Sequence, residues 1–145
     1  MSRELRILVI EDSNEKYKRV MELLTARLVN TDCRFSWARE YNSAVRSLRE
    51  ETFDLVILDL LIPIGDGQLS VQNSRALLSM MQSGELSPVP HVVGLTAHLS
   101  AAEEEKSFYA AGMLALELFS FETDHWADRL AAKISYLFKA KLAST

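Results

Sequence analysis

Short, nearly continuous apolar runs alternate along this chain with longer stretches in which apolar residues recur every three or four positions. Such runs, rich in β-branched residues, predict strands buried on both faces, and the longer stretches predict helices. Strands and helices that alternate in this way, joined by right-handed crossovers, favour an α/β fold, an open, doubly wound three-layer sandwich around a parallel sheet. The predicted strands are Leu5–Ile10, 34–38, 54–58, 91–95 and 113–118.

The first three helices are predicted from apolar periodicity. The first begins near Ser13 and presents one apolar face. The second and third fit 43–50 and 70–81, and glycine and proline residues predict an irregular loop at 82–90. The apolar face of the first helix consists of Tyr17, Val20, Leu24 and Leu28.

The last two helices are predicted from their ends as well as from their faces. Ser100 followed by Glu103 forms a capping box that starts the fourth helix, and Gly112 is placed for a left-handed cap at its end. The fifth helix has acidic residues in its first turn and lysines near its end, which suits the helix dipole. Its predicted apolar face consists of Trp126, Leu130, Ile134, Leu137 and Leu142.

Composition narrows the class of protein further. A chain of 145 residues with 48% apolar and 25% charged side chains predicts one domain, 1–145, without an output domain. The single cysteine, Cys33, excludes a disulfide framework and favours a cytoplasmic protein. Sixteen basic against twenty acidic residues, with no basic block, argue against nucleic acid as a partner. The longest apolar run, 55–64, is too short to span a membrane.

Polar side chains follow three of the predicted strands directly. Glu11 and Asp12 come after the first strand, Asp59 ends the third and Thr96 ends the fourth. Because ligands of open α/β sheets bind at the carboxyl ends of the strands, we expect these side chains to share one crevice. Three carboxylates there would raise one another's pKa, and a divalent cation relieves the repulsion. Oxygen-only ligands with room for water favour Mg²⁺.

This arrangement predicts phosphoryl transfer to a carboxylate. A cation held by Glu11 and Asp12 would leave one oxygen of Asp59 free to act as a nucleophile towards phosphorus. The transfer itself depends mainly on positioning and on neutralising the phosphoryl oxygens. Thr96 could donate its hydroxyl to one of those oxygens, and a contact made only in the phosphorylated state would shift a conformational equilibrium.

Each of these residues also has a simpler interpretation. Glu11 and Asp12 could belong to a solvated helix start, with Asp12 or Ser13 as the helix cap. Asp59 could be a turn residue, and Thr96 is a common strand residue on its own. His98, two residues beyond Thr96, could overhang the crevice and modulate access.

The combined spacing resembles the receiver domain of response regulators in two-component phosphorelays. The matching residues are the acidic strand end 7–13, the strand 54–58 with Asp59, and Pro63 and Gly67 at four and eight residues beyond it. Further matches are Leu95, Thr96 and Ala97 on the fourth strand, and Ala111 and Gly112 before the fifth strand. The resemblance covers nearly the whole chain and implies a flavodoxin-like sheet with strand order 2-1-3-4-5.

The resemblance also implies roles for individual residues. Asp59 would be the phospho-acceptor, and Glu11, Asp12, Asp59 and the backbone carbonyl of Leu61 would hold Mg²⁺. The donor would be a phosphohistidine on a sensor histidine kinase or a histidine phosphotransfer protein. Thr96 would contact the phosphoryl group and start the switch. At most, the chain would catalyse its own Mg²⁺-dependent phosphorylation, so it is not expected to be an enzyme.

Two features depart from the receiver pattern. Receivers carry a lysine at the end of the fifth strand, which pairs with the phosphate, and usually a proline after it. Alignment on Gly112 places Phe119 at the lysine position and Ser120 at the proline position, and 114–121 contains no lysine. Losing one preorganised cation would slow the transfer about a hundred-fold or more. The third crossover is also several residues longer than usual, most simply at 82–90.

Two functions stay open from the sequence. The first is a stand-alone receiver in phosphorelay signalling, which acts by binding an unknown downstream protein, as a monomer or a dimer. The alternative is a pseudo-receiver that uses the region 100–141 as a docking face regardless of phosphorylation, and the missing lysine favours it. An aspartyl-nucleophile phosphatase would need two aspartates one residue apart after the first strand, and a flavin-binding protein would need a glycine-rich loop there. The sequence has neither feature.

Overall fold

The computed structural model describes residues 4–110 and 112–144, without the side chains of 107–110. Within these residues, five strands alternate with five helices. The strands are β1 (Leu5–Ile10), β2 (Cys33–Ala38), β3 (Leu55–Leu58), β4 (His91–Thr96) and β5 (Ala115–Leu118). The helices are α1 (Asn14–Arg27), α2 (Tyr41–Glu50), α3 (Val71–Gln82), α4 (Leu99–Ala110) and α5 (His125–Ala143).

The strands form one parallel sheet in the order β2-β1-β3-β4-β5. This confirms the predicted α/β fold and the implied strand order 2-1-3-4-5. Ile10, the last residue of β1, pairs with Ala38 on one side and with Leu58 on the other. Three strands therefore end at the same level, and the residues that follow them meet at one edge of the sheet.

The sheet has a core on each face, which gives the predicted three layers. On one face, Leu24 of α1 and Ile134 of α5 pack with Val9 and Ile57. On the other face, α2 and α3 pack against the alternate residues of the same strands, and Ala102 of α4 joins them. Helices thus cover both faces of the sheet, and strand residues are buried on each face, as the continuous apolar runs predict.

The predicted start and end of α4, and one residue of the predicted apolar face of α5, were wrong. α4 begins at Leu99, and the Ala102 amide donates to the His98 carbonyl, so Ser100 lies inside the helix and does not cap it. Gly112 does not adopt a left-handed conformation. A Cβ at Gly112 would meet Nε2 at the end of the flexible Gln82 side chain, so a larger residue there would require Gln82 to move. Leu142 is exposed and does not share the buried face of α5.

Candidate functional site

Glu11 and Asp59 lie side by side at the carboxyl edge of the sheet. They directly follow the paired residues Ile10 and Leu58, and the Asp59 amide donates to the Ile10 carbonyl (3.1 Å). Both carboxylates are almost fully buried, with 3% and 4% of each residue exposed. The structure therefore brings together the first and third strand ends, as the sequence predicts.

Asp12 completes a cluster of three carboxylates. One oxygen from each of Glu11, Asp12 and Asp59 lies within 4.8 Å of the others. Asp12 is half-buried and makes no hydrogen bond or ion pair with any residue that the structure describes. It borders an open cleft of about 670 Å³, which Arg39 and Asp66 also line. A set of oxygen ligands that opens onto solvent fits a hard divalent cation such as Mg²⁺.

Asp59 has one oxygen held by the backbone. The Leu61 amide donates to Oδ1 of Asp59 at 3.3 Å. Oδ2 of the same carboxylate faces the ammonium of Lys16 at 3.3 Å. The two oxygens of the candidate acceptor are thus in different surroundings. The Leu61 carbonyl as a metal ligand stays a prediction.

Thr96 is the last residue of β4 and is fully buried. Its Oγ1 accepts a hydrogen bond from the His98 amide (3.2 Å), and its carbonyl accepts one from the Phe119 amide (2.8 Å). Because Thr96 Oγ1 is already an acceptor, its hydroxyl hydrogen is free to point elsewhere. The switch role of Thr96 stays a prediction, as does any effect on access of the exposed His98 side chain.

Sequence reasoning missed Lys16, whose ammonium lies inside the carboxylate cluster. Lys16 is only 4% exposed. Its Nζ is 2.6 Å from Oε1 of Glu11, and it donates to the Leu95 carbonyl at 2.7 Å. Isolated buried ammonium groups are costly, and here the two carboxylates and the carbonyl compensate for the lost water.

A signal for Lys16 is present in the sequence. Lys16 lies four and eight residues before Val20 and Leu24, which form the buried stripe of α1. Residues four apart share one side of a helix, so a lysine at this position is directed towards the core. A lysine within an apolar stripe, close to three predicted carboxylates, indicates an internal ion pair.

The surroundings of Glu11 shift its titration. Burial raises the pKa of Glu11 from 4.5 to about 7, the Lys16 ammonium opposes this, and the Asp59 carboxylate adds to it. The sequence predicts a raised pKa from the crowding of carboxylates. The larger cause is instead the loss of water around Glu11.

Phe119 lies where the fifth-strand lysine of receivers was expected. It follows β5 directly, is buried, and packs against Trp126, with ring centroids 4.9 Å apart. The Lys16 ammonium lies 5.5 Å from the centre of the Phe119 ring. An aromatic face thus borders the cation on the side of β5.

An aromatic stack covers the backbone next to Glu11. The rings of Tyr17 and Trp37 are parallel with centroids 3.8 Å apart, and the Arg39 guanidinium lies 4.8 Å from the Trp37 ring centre. The indole Nε1 of Trp37 donates to the Glu11 carbonyl at 2.7 Å. Trp37 therefore contacts the backbone of Glu11, one of the three clustered residues.

The chain has the fold of response-regulator receiver domains. The receiver domain of a sensor histidine kinase from Pseudomonas aeruginosa, solved with magnesium coordinated in its active-site cleft, is 18% identical with a TM-score of 0.69. A Francisella response-regulator receiver domain is 18% identical with a TM-score of 0.64. Both matches cover 94% of this chain and 98% of the other. A phosphorylated cyanobacterial phytochrome response regulator is 20% identical, with a TM-score of 0.63 and coverages of 98% and 96%.

The sequence is also similar to an uncharacterised protein, y4jS, of Sinorhizobium fredii. The two are 32% identical over 136 residues, a match that covers 92% of this chain and 32% of that protein. The chain therefore spans about a third of the length of this relative. No protein-family model matches the chain. Among the described residues, no helix is both long enough and apolar enough to cross a membrane.

Proposed function

We propose that this chain is a phosphorelay receiver that accepts a phosphoryl group on Asp59. The observation that carries the proposal is the buried Asp59 carboxylate, clustered with Glu11 and Asp12 at the carboxyl edge of a receiver-type sheet. The likeness to solved receiver domains supports it. The chain would then act in signalling in the cytoplasm by contact with other proteins rather than as an enzyme.

Glu11, Asp12, Asp59 and the Leu61 carbonyl would hold Mg²⁺, which neutralises phosphoryl oxygens when bound. Asp12 is the ligand with direct access to the cleft, and Glu11 and Asp59 lie deeper. Because the Leu61 amide fixes Oδ1 of Asp59, the carboxylate has a defined orientation for attack.

The reaction would be an in-line displacement at phosphorus. A carboxylate oxygen of Asp59 forms a P–O bond while the P–N bond to a histidine of a sensor kinase or a phosphotransfer protein breaks. The bonding pair stays on the imidazole nitrogen, which then takes up a proton. Acetyl phosphate can replace the protein donor, with acetate as the leaving group. Thr96 would donate its hydroxyl to a phosphoryl oxygen of the product.

The proposal is tested by incubating the chain with acetyl phosphate and Mg²⁺ and measuring its intact mass. We expect the mass to rise by one phosphoryl group, and the rise to be absent with a chelator or in Asp59→Asn. Asp66→Asn, which removes another carboxylate that lines the cleft, is the matched control and should be phosphorylated like the wild type. An unmodified wild type, or an adduct that persists in Asp59→Asn, would contradict the proposal.

A second candidate is a pseudo-receiver that binds a partner independently of phosphorylation. One observation favours it: the Lys16 ammonium already contacts both Glu11 and Asp59, so the acidic site has a counter-charge of its own. In this case the region 100–141, which contains β5 and most of α4 and α5, would carry the docking face for the downstream protein.

Titration with Mg²⁺ separates the two candidates. Trp37 reports on the site because its indole donates to the Glu11 carbonyl, and Trp126→Phe removes the other tryptophan signal. A receiver should give a saturable change of fluorescence that Asp12→Asn weakens. A pseudo-receiver should show no Mg²⁺ response at millimolar concentrations and no phosphoryl adduct.

A further inference from the structure

We propose that Lys16, in the first turn of α1, supplies the positive charge that contacts the phosphoryl group on Asp59. This inference rests on the proposed function and deepens it. In the receiver pattern this charge comes from a lysine at the end of the fifth strand. In this chain we assign it to a residue of α1. Phe119 would then have a different role: its buried ring shields the Lys16 ammonium from water on the side of β5.

The Lys16 ammonium is held by contacts on several sides. It lies 2.6 Å from Oε1 of Glu11, 2.7 Å from the Leu95 carbonyl and 3.3 Å from Oδ2 of Asp59. An ammonium has three hydrogens, so each of these oxygens can receive one. The contact with Asp59 is the longest of the three and is the one most easily exchanged for another oxygen.

Phosphorylation would change only this longest contact. An aspartyl phosphate places new anionic oxygens beside Oδ2 of Asp59, within reach of the third ammonium hydrogen of Lys16. The bonds to Glu11 and to the Leu95 carbonyl can stay in place while this happens. A cation that is already positioned and shielded from water stabilises the charge on the transferring group at little cost in reorganisation.

The local sequence builds this position in one turn of chain. The Ser13 amide donates to Oε2 of Glu11 (3.0 Å), and Ser13 Oγ in turn accepts from the Lys16 amide (3.2 Å). Ser13 thereby caps α1 and links the backbone of Lys16 to the carboxylate of Glu11. The strand end, the helix cap and the cation are thus tied together within six residues.

Position 119 lies close enough to the Lys16 ammonium for a lysine placed there to supply the same charge. Its ring centre is 5.5 Å from the ammonium, and its backbone is fixed by the hydrogen bond to the Thr96 carbonyl. A lysine at position 119 could therefore bring its own ammonium into the same space. In Phe119→Lys the new ammonium would be repelled by Lys16, which is still present. A lysine at position 119 should therefore help only when Lys16 has been removed.

The experiment measures the rate of phosphorylation by acetyl phosphate with Mg²⁺ in Lys16→Met, Lys16→Gln, Phe119→Lys and the double variant Lys16→Met/Phe119→Lys. We expect both Lys16 variants to lose about 100-fold in rate, the size of effect seen when one preorganised donor is removed. Lys16→Gln keeps a neutral hydrogen-bond donor at this position, so it tests the loss of charge if Lys16→Met folds poorly. Lys18→Met, an exposed lysine of the same helix, should keep the wild-type rate.

The double variant tests the role of the charge most sharply. It should regain at least tenfold over Lys16→Met, while Phe119→Lys alone should not exceed the wild type. A purely structural role for Lys16 predicts no rescue, because a second core substitution would only add damage. If the wild type is phosphorylated and both Lys16 variants react at the same rate, this inference alone is overturned. No phosphorylation of the wild type would overturn the proposed function, and this inference with it.

Discussion

Glu11 and Lys16 hold opposite charges 2.6 Å apart where water scarcely reaches. The pair shares its site with the Asp59 carboxylate, so one cation faces two anions before any metal binds. Removing one partner of a buried pair leaves an uncompensated charge, which costs several kcal/mol. At this scale, Lys16 is held in place by the carboxylates and the Leu95 carbonyl around it.

Glu11 should make the stability of the metal-free protein depend on pH. Its pKa in the folded chain is about 7, above the ordinary 4.5, chiefly because of burial. The folded state therefore binds the proton more tightly, so this contribution to stability is complete below pH 4.5 and is lost as the pH rises through 7. Urea unfolding in chelator should show the loss, with a slope from this group of at most about 1.4 kcal/mol per pH unit.

Glu11→Gln has no proton to lose, so it should flatten this slope between pH 4.5 and 7. An equally steep slope in Glu11→Gln would show that other groups cause the pH dependence, and would contradict the assignment to Glu11.

α1 is the element that connects the strand end to the site. Its N-cap, Ser13, bonds the Lys16 amide, and its buried stripe continues from Lys16 through Val20 to Leu24. The orientation of the helix thus sets the depth of the Lys16 ammonium. By contrast, α3 has a similar serine cap, Ser70, which accepts from the Gln72 amide and does not contact the carboxylates.

These two caps provide a matched pair for a prediction. Ser13→Ala and Ser70→Ala should each lower the free energy of unfolding by about 1 kcal/mol, because each removes one N-cap hydrogen bond. Only Ser13→Ala should also slow phosphorylation by acetyl phosphate, since it loosens the turn that positions Glu11 and Lys16. Denaturant unfolding and the phosphorylation rate test this. Equal phosphorylation rates in the two variants would contradict a special role for α1.

Across the whole molecule, the sequence predicts the sheet and the carboxylate cluster well for a simple physical reason. Continuous apolar runs fit a sheet buried on both faces, and the carboxyl ends of parallel strands meet at one edge. Glu11 and Asp59 are neighbours because β1 pairs with β3, an order that the resemblance to receivers implies and the structure confirms. The predicted absence of an output domain stays a prediction.

What the sequence did not predict depends on contacts between distant residues. The depth of Lys16 depends on how α1 rests on the sheet, and most helix lysines are solvated. The close approach of Gly112, three residues before β5, to Gln82 at the end of α3 is likewise not indicated by any local pattern. The capping pattern at Ser100 likewise did not decide where α4 starts, because the chain turns into the helix directly after β4.

Chemical identification of the acceptor is the most direct test of the central claim, that Asp59 carries the phosphoryl group. Borohydride reduces an aspartyl phosphate to homoserine, which peptide mass spectrometry then locates in the chain. After treatment with acetyl phosphate and Mg²⁺, we expect homoserine at position 59, and none when Mg²⁺ is chelated. Homoserine at another aspartate, or at none, would contradict the account.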